Sequence, residues 1–91
     1  MLQLIMNKIW AKIITDQRVK RSIIHDAGER IETWNFYDNV RQIAEKLKIP
    51  TPVVLNSYAE NFLNFNLMKF RARDFIEEIA FDYLLLEAVS S

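Results

Sequence analysis

Two apolar runs around a short polar break constrain this chain more than any other feature. Lys8-Ile9-Trp10-Ala11-Lys12-Ile13-Ile14 and Val19 to Ile24 are rich in β-branched and aromatic residues, and Thr15-Asp16-Gln17-Arg18 lies between them. Such side chains fit a pleated, half-buried surface, so the pair predicts an N-terminal β-hairpin. The turn contains no glycine, which leaves its type open. Ile5, Ile9 and Ile13 also sit at helical spacing, and a helix over Ile5–Ile14 is the competing reading. The second run and the polar break favour the hairpin.

Composition limits what this hairpin can belong to. The chain has 91 residues, 51% hydrophobic and 26% charged, which reads as one globular domain over residues 1–91. Met1–Met6 reads as a flexible lead-in, too short for a membrane span and followed instead of preceded by the charge of Lys8. There is no cysteine, so disulfides and thiolate chemistry are removed, and a cytoplasmic setting is the simplest. His25 is the only histidine and Gly28 the only glycine. One cannot build a multi-histidine metal site, and the other cannot supply a phosphate loop or a dinucleotide fingerprint. No metal and no cofactor is expected.

Helical spacing governs the middle of the chain. Phe36, Val40, Ile43, Ala44 and Leu47 predict a helix over Asn35–Leu47, with Asp38 near its start and Lys46 and Lys48 near its end. Pro50 closes it. Thr51 reads as the N-cap of a second helix with Pro52 in its first turn. That helix would turn Val54, Leu55, Tyr58, Phe62 and Phe65 inward and end at Asn64 or Asn66.

From Met68 to Arg73 the pattern alternates, which predicts a strand with Lys69, Arg71 and Arg73 on one side. Asp74 would then cap a helical turn through Glu78. Phe81 to Val89 fits helix and strand equally, and charge decides between them. Residues 1–25 carry a net +4 and residues 74–91 a net −5, so a C-terminal strand beside the basic hairpin neutralises both. The expected fold is α+β: an N-terminal hairpin, two central helices, and one or two C-terminal strands completing a small antiparallel sheet.

Three fragments carry a resemblance. They are Lys8–Ile14 with Arg18-Val19, Ile49-Pro50-Thr51-Pro52-Val53-Val54-Leu55, and Asp74-Phe75-Ile76-Glu77-Glu78 followed by Phe81-Asp82-Tyr83-Leu84. In that order they resemble small uncharacterised bacterial proteins of Firmicutes type. The resemblance implies a compact α+β domain and transfers no functional residue.

Two readings of function follow. The first is a non-enzymatic protein-interaction or regulatory module, because adjacent Glu77 and Glu78 diverge and Ser22, His25 and Asp26 lie too close along one strand to form a triad. Its patch would be Trp34 and Tyr37, residue types favoured as interface anchors. Exposed sheet edges and the aromatic surplus also permit a homodimer. The second is nucleic-acid binding. Ile43 to Val54 resembles the first helix, turn and second-helix start of a helix-turn-helix, although Lys48 stands where that family usually has glycine. No Arg or Lys lies between Pro52 and Met68 to hold phosphates. Lys69, Arg71 and Arg73 form the other nucleic-acid candidate, and the nearer reading for them is neutralisation by Glu77, Glu78 and Asp82 of the same chain.

Overall fold

A computed structural model describes residues 6–90 of the chain. The expected lead-in lies outside them except for Met6, which opens the first strand. The elements are β1 (Met6–Thr15), β2 (Arg18–Asp26), α1 (Thr33–Leu47), α2 (Asn56–Phe65), β3 (Leu67–Arg71), a 3₁₀ turn at Ala72–Asp74, and β4 (Tyr83–Ser90). The four strands form one antiparallel sheet in the order β2-β1-β4-β3. The α+β architecture follows the sequence reading, and the segment that fitted helix and strand equally is strand β4.

The hairpin closes without glycine because Asp16 (φ 52°) and Gln17 (φ 64°) both adopt left-handed backbone. Two successive positive φ values give a type I′ turn, whose twist matches that of the flanking strands. No helix forms over Ile5–Ile14. Between Ile13 and Ile14 the register with β2 shifts by one residue, leaving Lys20 as the extra residue of a bulge.

One face of the sheet carries the core. Ile9, Ala11 and Ile13 of β1 lie beside Leu84 and Leu86 of β4 and Phe70 of β3, and all are buried. Helix α1 covers them with Phe36, Val40, Ile43 and Leu47, one stripe at helical spacing. Helix α2 adds Phe62, whose ring lies 5.0 Å from that of Phe36. At the end of α1, Lys48 takes left-handed backbone (φ 57°), and the Ile49 N–H donates to the Ala44 carbonyl at 3.0 Å. Arg21 reaches from β2 to donate to the Leu47 carbonyl at 2.6 Å, satisfying another helix-end acceptor.

Four local expectations are corrected. Helix α2 begins at Asn56 with Leu55 as N-cap, not at Pro52 behind Thr51. The Val53 N–H donates to the Asp74 carbonyl at 2.7 Å, and Pro52 is buried, so the stretch before α2 is held against the 3₁₀ turn. Leu55 and Phe65 consequently face solvent instead of the core. Strand β3 stops at Arg71, where the Asp74 carboxylate accepts from the Arg71 N–H and from the Tyr58 hydroxyl, both at 2.9 Å. This contact folds Ala72–Asp74 into a 3₁₀ turn and removes Arg73 from the strand, and the expected helical turn through Glu78 does not form.

His25 is fully buried between β2 and α1. Lys46 Nζ lies 2.9 Å from its Nδ1, and a lysine can only donate, so Nδ1 accepts and Nε2 carries the proton. Nε2–H then donates to Asn39 Oδ1 at 2.8 Å, and Asn39 Nδ2 donates to the Asn35 carbonyl at 2.9 Å. Burial pushes the ring below its ordinary pKa and the Lys46 charge acts the same way, while the Asn39 bond and Asp26 oppose them. A second ring proton would displace the Lys46 bond and set two cations together.

Two measurements follow. Replacing Lys48 with glycine, which adopts left-handed backbone freely, should raise the unfolding free energy by about 1 kcal/mol in urea titrations; a loss would contradict the cap. The unfolded ring protonates near pH 6.5, the folded ring only at lower pH. Below about pH 6.5 the unfolded chain therefore holds more protons, and stability falls as pH drops until the folded ring also protonates. Wild-type stability should fall more steeply with acid below about pH 6.5 than that of His25→Gln; equal slopes would refute the buried neutral ring.

Candidate functional site

Side chains alternate along a strand, so burying Ile9, Ala11 and Ile13 turns Trp10 and Lys12 to the other face. Phe36, Val40, Ile43 and Leu47 of α1 and Ala59 and Phe62 of α2 join the core cluster on the first face. No described helix packs on the second face, and three of its apolar residues fall in register. Ile24 of β2 pairs with Trp10 of β1, Trp10 with Glu87 of β4, and Glu87 with Leu67 of β3. Trp10 is 39%, Ile24 57% and Leu67 41% exposed. Neighbouring strands lie about 4.8 Å apart, so this row spans roughly 14 Å across the sheet. Leu85 and Tyr83 continue the apolar surface toward the opposite end of β4, and both are half-buried.

The charges on this face have defined places. Lys12 Nζ lies 3.0 Å from Glu87 Oε1 and 3.6 Å from the centre of the Trp10 ring. One ammonium thus neutralises the only acid in the row and steadies the indole by a cation–π contact. Lys69 Nζ lies 5.0 Å from the centre of the Tyr83 ring. Lys8 stands at the Val89 end of the face and Arg71 opposite Tyr83 at the other. Both sheet edges are blunted: β2 by its bulge with Arg18 and Lys20, β3 by its short length and Lys69. The face, not an edge, is the surface left available.

The residues singled out from sequence divide among three places. Trp34 and Tyr37 are exposed on the outer side of α1, with the Trp34 Nε1–H donating to Glu32 Oε2 at 2.8 Å. Lys69 and Arg71 lie on the open sheet face, on the far side of the core. Arg73 lies in the 3₁₀ turn and joins neither group. The helix-turn-helix corner does not form, because the segment from Lys48 to Leu55 replaces a turn of about three or four residues. Among the described residues no ion pair joins Lys69, Arg71 or Arg73 to Glu77, Glu78 or Asp82, so the expected neutralisation within the chain is not made there. The ion pair between the basic hairpin and the acidic C-terminal strand is Lys12 with Glu87.

Sequence reasoning placed Trp10 among the hairpin residues without assigning it a site. The signal was present: in a half-buried strand, Ile9, Ala11 and Ile13 on one face leave Trp10 and Lys12 together on the other. Elsewhere, a cleft of about 320 Å³ is lined by Met6, Ile31 and Leu63 with Thr33 and the Arg30–Glu32 ion pair, 3.7 Å apart. Among the described residues no three His, Asp or Glu side chains gather as a metal site. No described helix is long and apolar enough to cross a membrane.

A double-mutant cycle tests the organised centre of the face. Lys12→Ala and Glu87→Ala should show a coupling of about 0.5–1 kcal/mol in unfolding free energy. Additive losses would mean that the two side chains are merely neighbours. Compared with known protein families, characterised proteins and solved structures, the chain matches none, so its function is read from the geometry of this face.

Proposed function

We propose that the chain is a non-enzymatic protein-interaction module that docks a partner on the open face of its sheet, anchored by Trp10, Ile24 and Leu67. The observation that carries this reading is the row of three exposed apolar side chains, from β2, β1 and β3, lying in register on either side of Glu87 of β4. A soluble domain gains nothing in stability from such a row, whereas contiguous exposed apolar surface marks interaction sites. Trp is the residue type most enriched where a few contacts carry most of the binding energy. Here the Lys12 contact holds the ring in place before any partner arrives, which lowers the entropy cost of docking. The lack of cysteine suits a reducing compartment, and a cytoplasmic setting is part of the proposal.

Nucleic acid is the competing occupant, because Trp10 and Tyr83 beside cations resemble a single-strand stacking platform. Protein is favoured because Lys12 already faces Glu87, Lys69 lies over Tyr83, and the formal net charge is zero.

The test is retention from the native lysate by the tagged chain, with and without nuclease. The expected result is a stoichiometric protein that survives nuclease and is retained about tenfold less by Trp10→Ser. Material removed by nuclease, or unchanged retention by Trp10→Ser, would overturn the proposal.

A further inference from the structure

The loop between the 3₁₀ turn and β4 has a composition opposite to that of the open face. It holds Ile76, the most exposed of the large apolar residues at 89%, directly followed by exposed Glu77 and Glu78. Neither glutamate takes part in an ion pair among the described residues, and neither Lys69 nor Arg71 does. One molecule therefore presents an apolar, acidic projection and, at the β3–β4 end of its open face, an apolar, basic strip of Lys69, Arg71, Tyr83 and Leu85. The two are neighbours along the chain, since the loop leaves the sheet just beyond Arg71 and re-enters it at Tyr83. They nevertheless do not pair within the chain.

Building on the reading of the open face as a docking surface, we infer that the occupant of its β3–β4 end is a second copy of this chain. The Ile76-Glu77-Glu78 segment of each copy sits on the Lys69–Arg71 strip of the other. Because projection and strip are adjacent, a two-fold axis between them makes both contacts at once and closes the assembly as a dimer. Charge complementarity selects this arrangement. Packing two open faces directly together would set Lys69 and Arg71 against like charges, whereas the loop brings two carboxylates to them. A formal net charge of zero leaves no long-range repulsion between copies. Two contacts of this size lie at the small end of stable interfaces, so the dimer is weak and depends on concentration and salt.

The experiment is sedimentation velocity of the whole chain from about 10 μM to about 1 mM, in about 0.05 M and about 0.5 M salt. The expected result is a monomer–dimer equilibrium weakened about tenfold by the higher salt. Glu77→Lys with Glu78→Lys, and separately Lys69→Glu with Arg71→Glu, should each give a monomer. A 1:1 mixture of these two double variants should dimerise again, because each supplies the charge the other lacks. All four positions are exposed, and circular dichroism checks that the fold persists. Should either double variant fail to fold, Ile76→Ser decides, with an expected loss of about tenfold in association. A monomeric wild type, a dimer indifferent to both reversals, or a mixture that stays monomeric would each overturn the inference. A monomeric wild type that still retains a lysate protein through Trp10 would remove the dimer and leave the docking face standing. A dimer with no such retention would do the reverse.

Discussion

The antiparallel pairing of β1 with β4 is the constraint on which the rest of the molecule depends. It joins the two ends of the chain along eight registered positions, from Met6 opposite Ser90 to Ile14 opposite Tyr83. Every other element hangs from it. Strand β2 adds to the outer side of β1 through a tight turn, and β3 adds to the outer side of β4. Such non-local pairing is costly in loop-closure entropy, so it has to be specified strongly by side chains. On one face the specification is apolar, with Ala11 opposite Leu86 and Ile13 opposite Leu84. On the other it is electrostatic, with Lys12 reaching diagonally to Glu87. A slip of one residue would reverse both faces at once.

That division into two faces links stability to the proposed function. The helices bury the first face and supply the packing that holds the sheet together. The polar contacts of α1 fix how it docks: the buried His25–Asn39–Asn35 chain ties it to β2, and Arg21 closes its last turn. The second face contributes little to that core and keeps Trp10, Ile24 and Leu67 in contact with solvent. The bulge at Lys20 and the cations on the edge strands disfavour edge-to-edge pairing and leave this face as the surface of the proposed docking.

Much of the fold was legible in the sequence because periodicity and charge pointed the same way. The β-branched runs gave the hairpin, the stripe from Phe36 to Leu47 gave α1, and the opposed charges of the two chain ends made Phe81 to Val89 a strand. What escaped was fixed by single long-range contacts. Thr51-Pro52 looks like a helix start, and Asp74, distant in sequence, keeps that segment extended through Val53. The same aspartate ends β3 and removes Arg73 from the basic strip. His25 reads as an ordinary strand-end residue until α1 brings Asn39 and Lys46 to its two nitrogens. The open face was hidden for a different reason: its anchors lie on three strands, and only the register brings Ile24, Trp10 and Leu67 into one row.

The central claim is that the sheet has one face for stability and one for association. The most direct test is the unfolding free energy of an Ile24→Thr, Leu67→Thr double variant, set beside Phe70→Ala and Leu86→Ala on the buried face. Threonine suits a strand at both positions, keeps the β-branching of Ile24, and removes the apolar anchors. The double variant should lie within about 0.5 kcal/mol of the wild type, as exposed sites do, while each buried-face variant loses about 2–5 kcal/mol. A loss of several kcal/mol from Ile24→Thr with Leu67→Thr would mean that the open face is part of the core, and the account of this surface would be wrong.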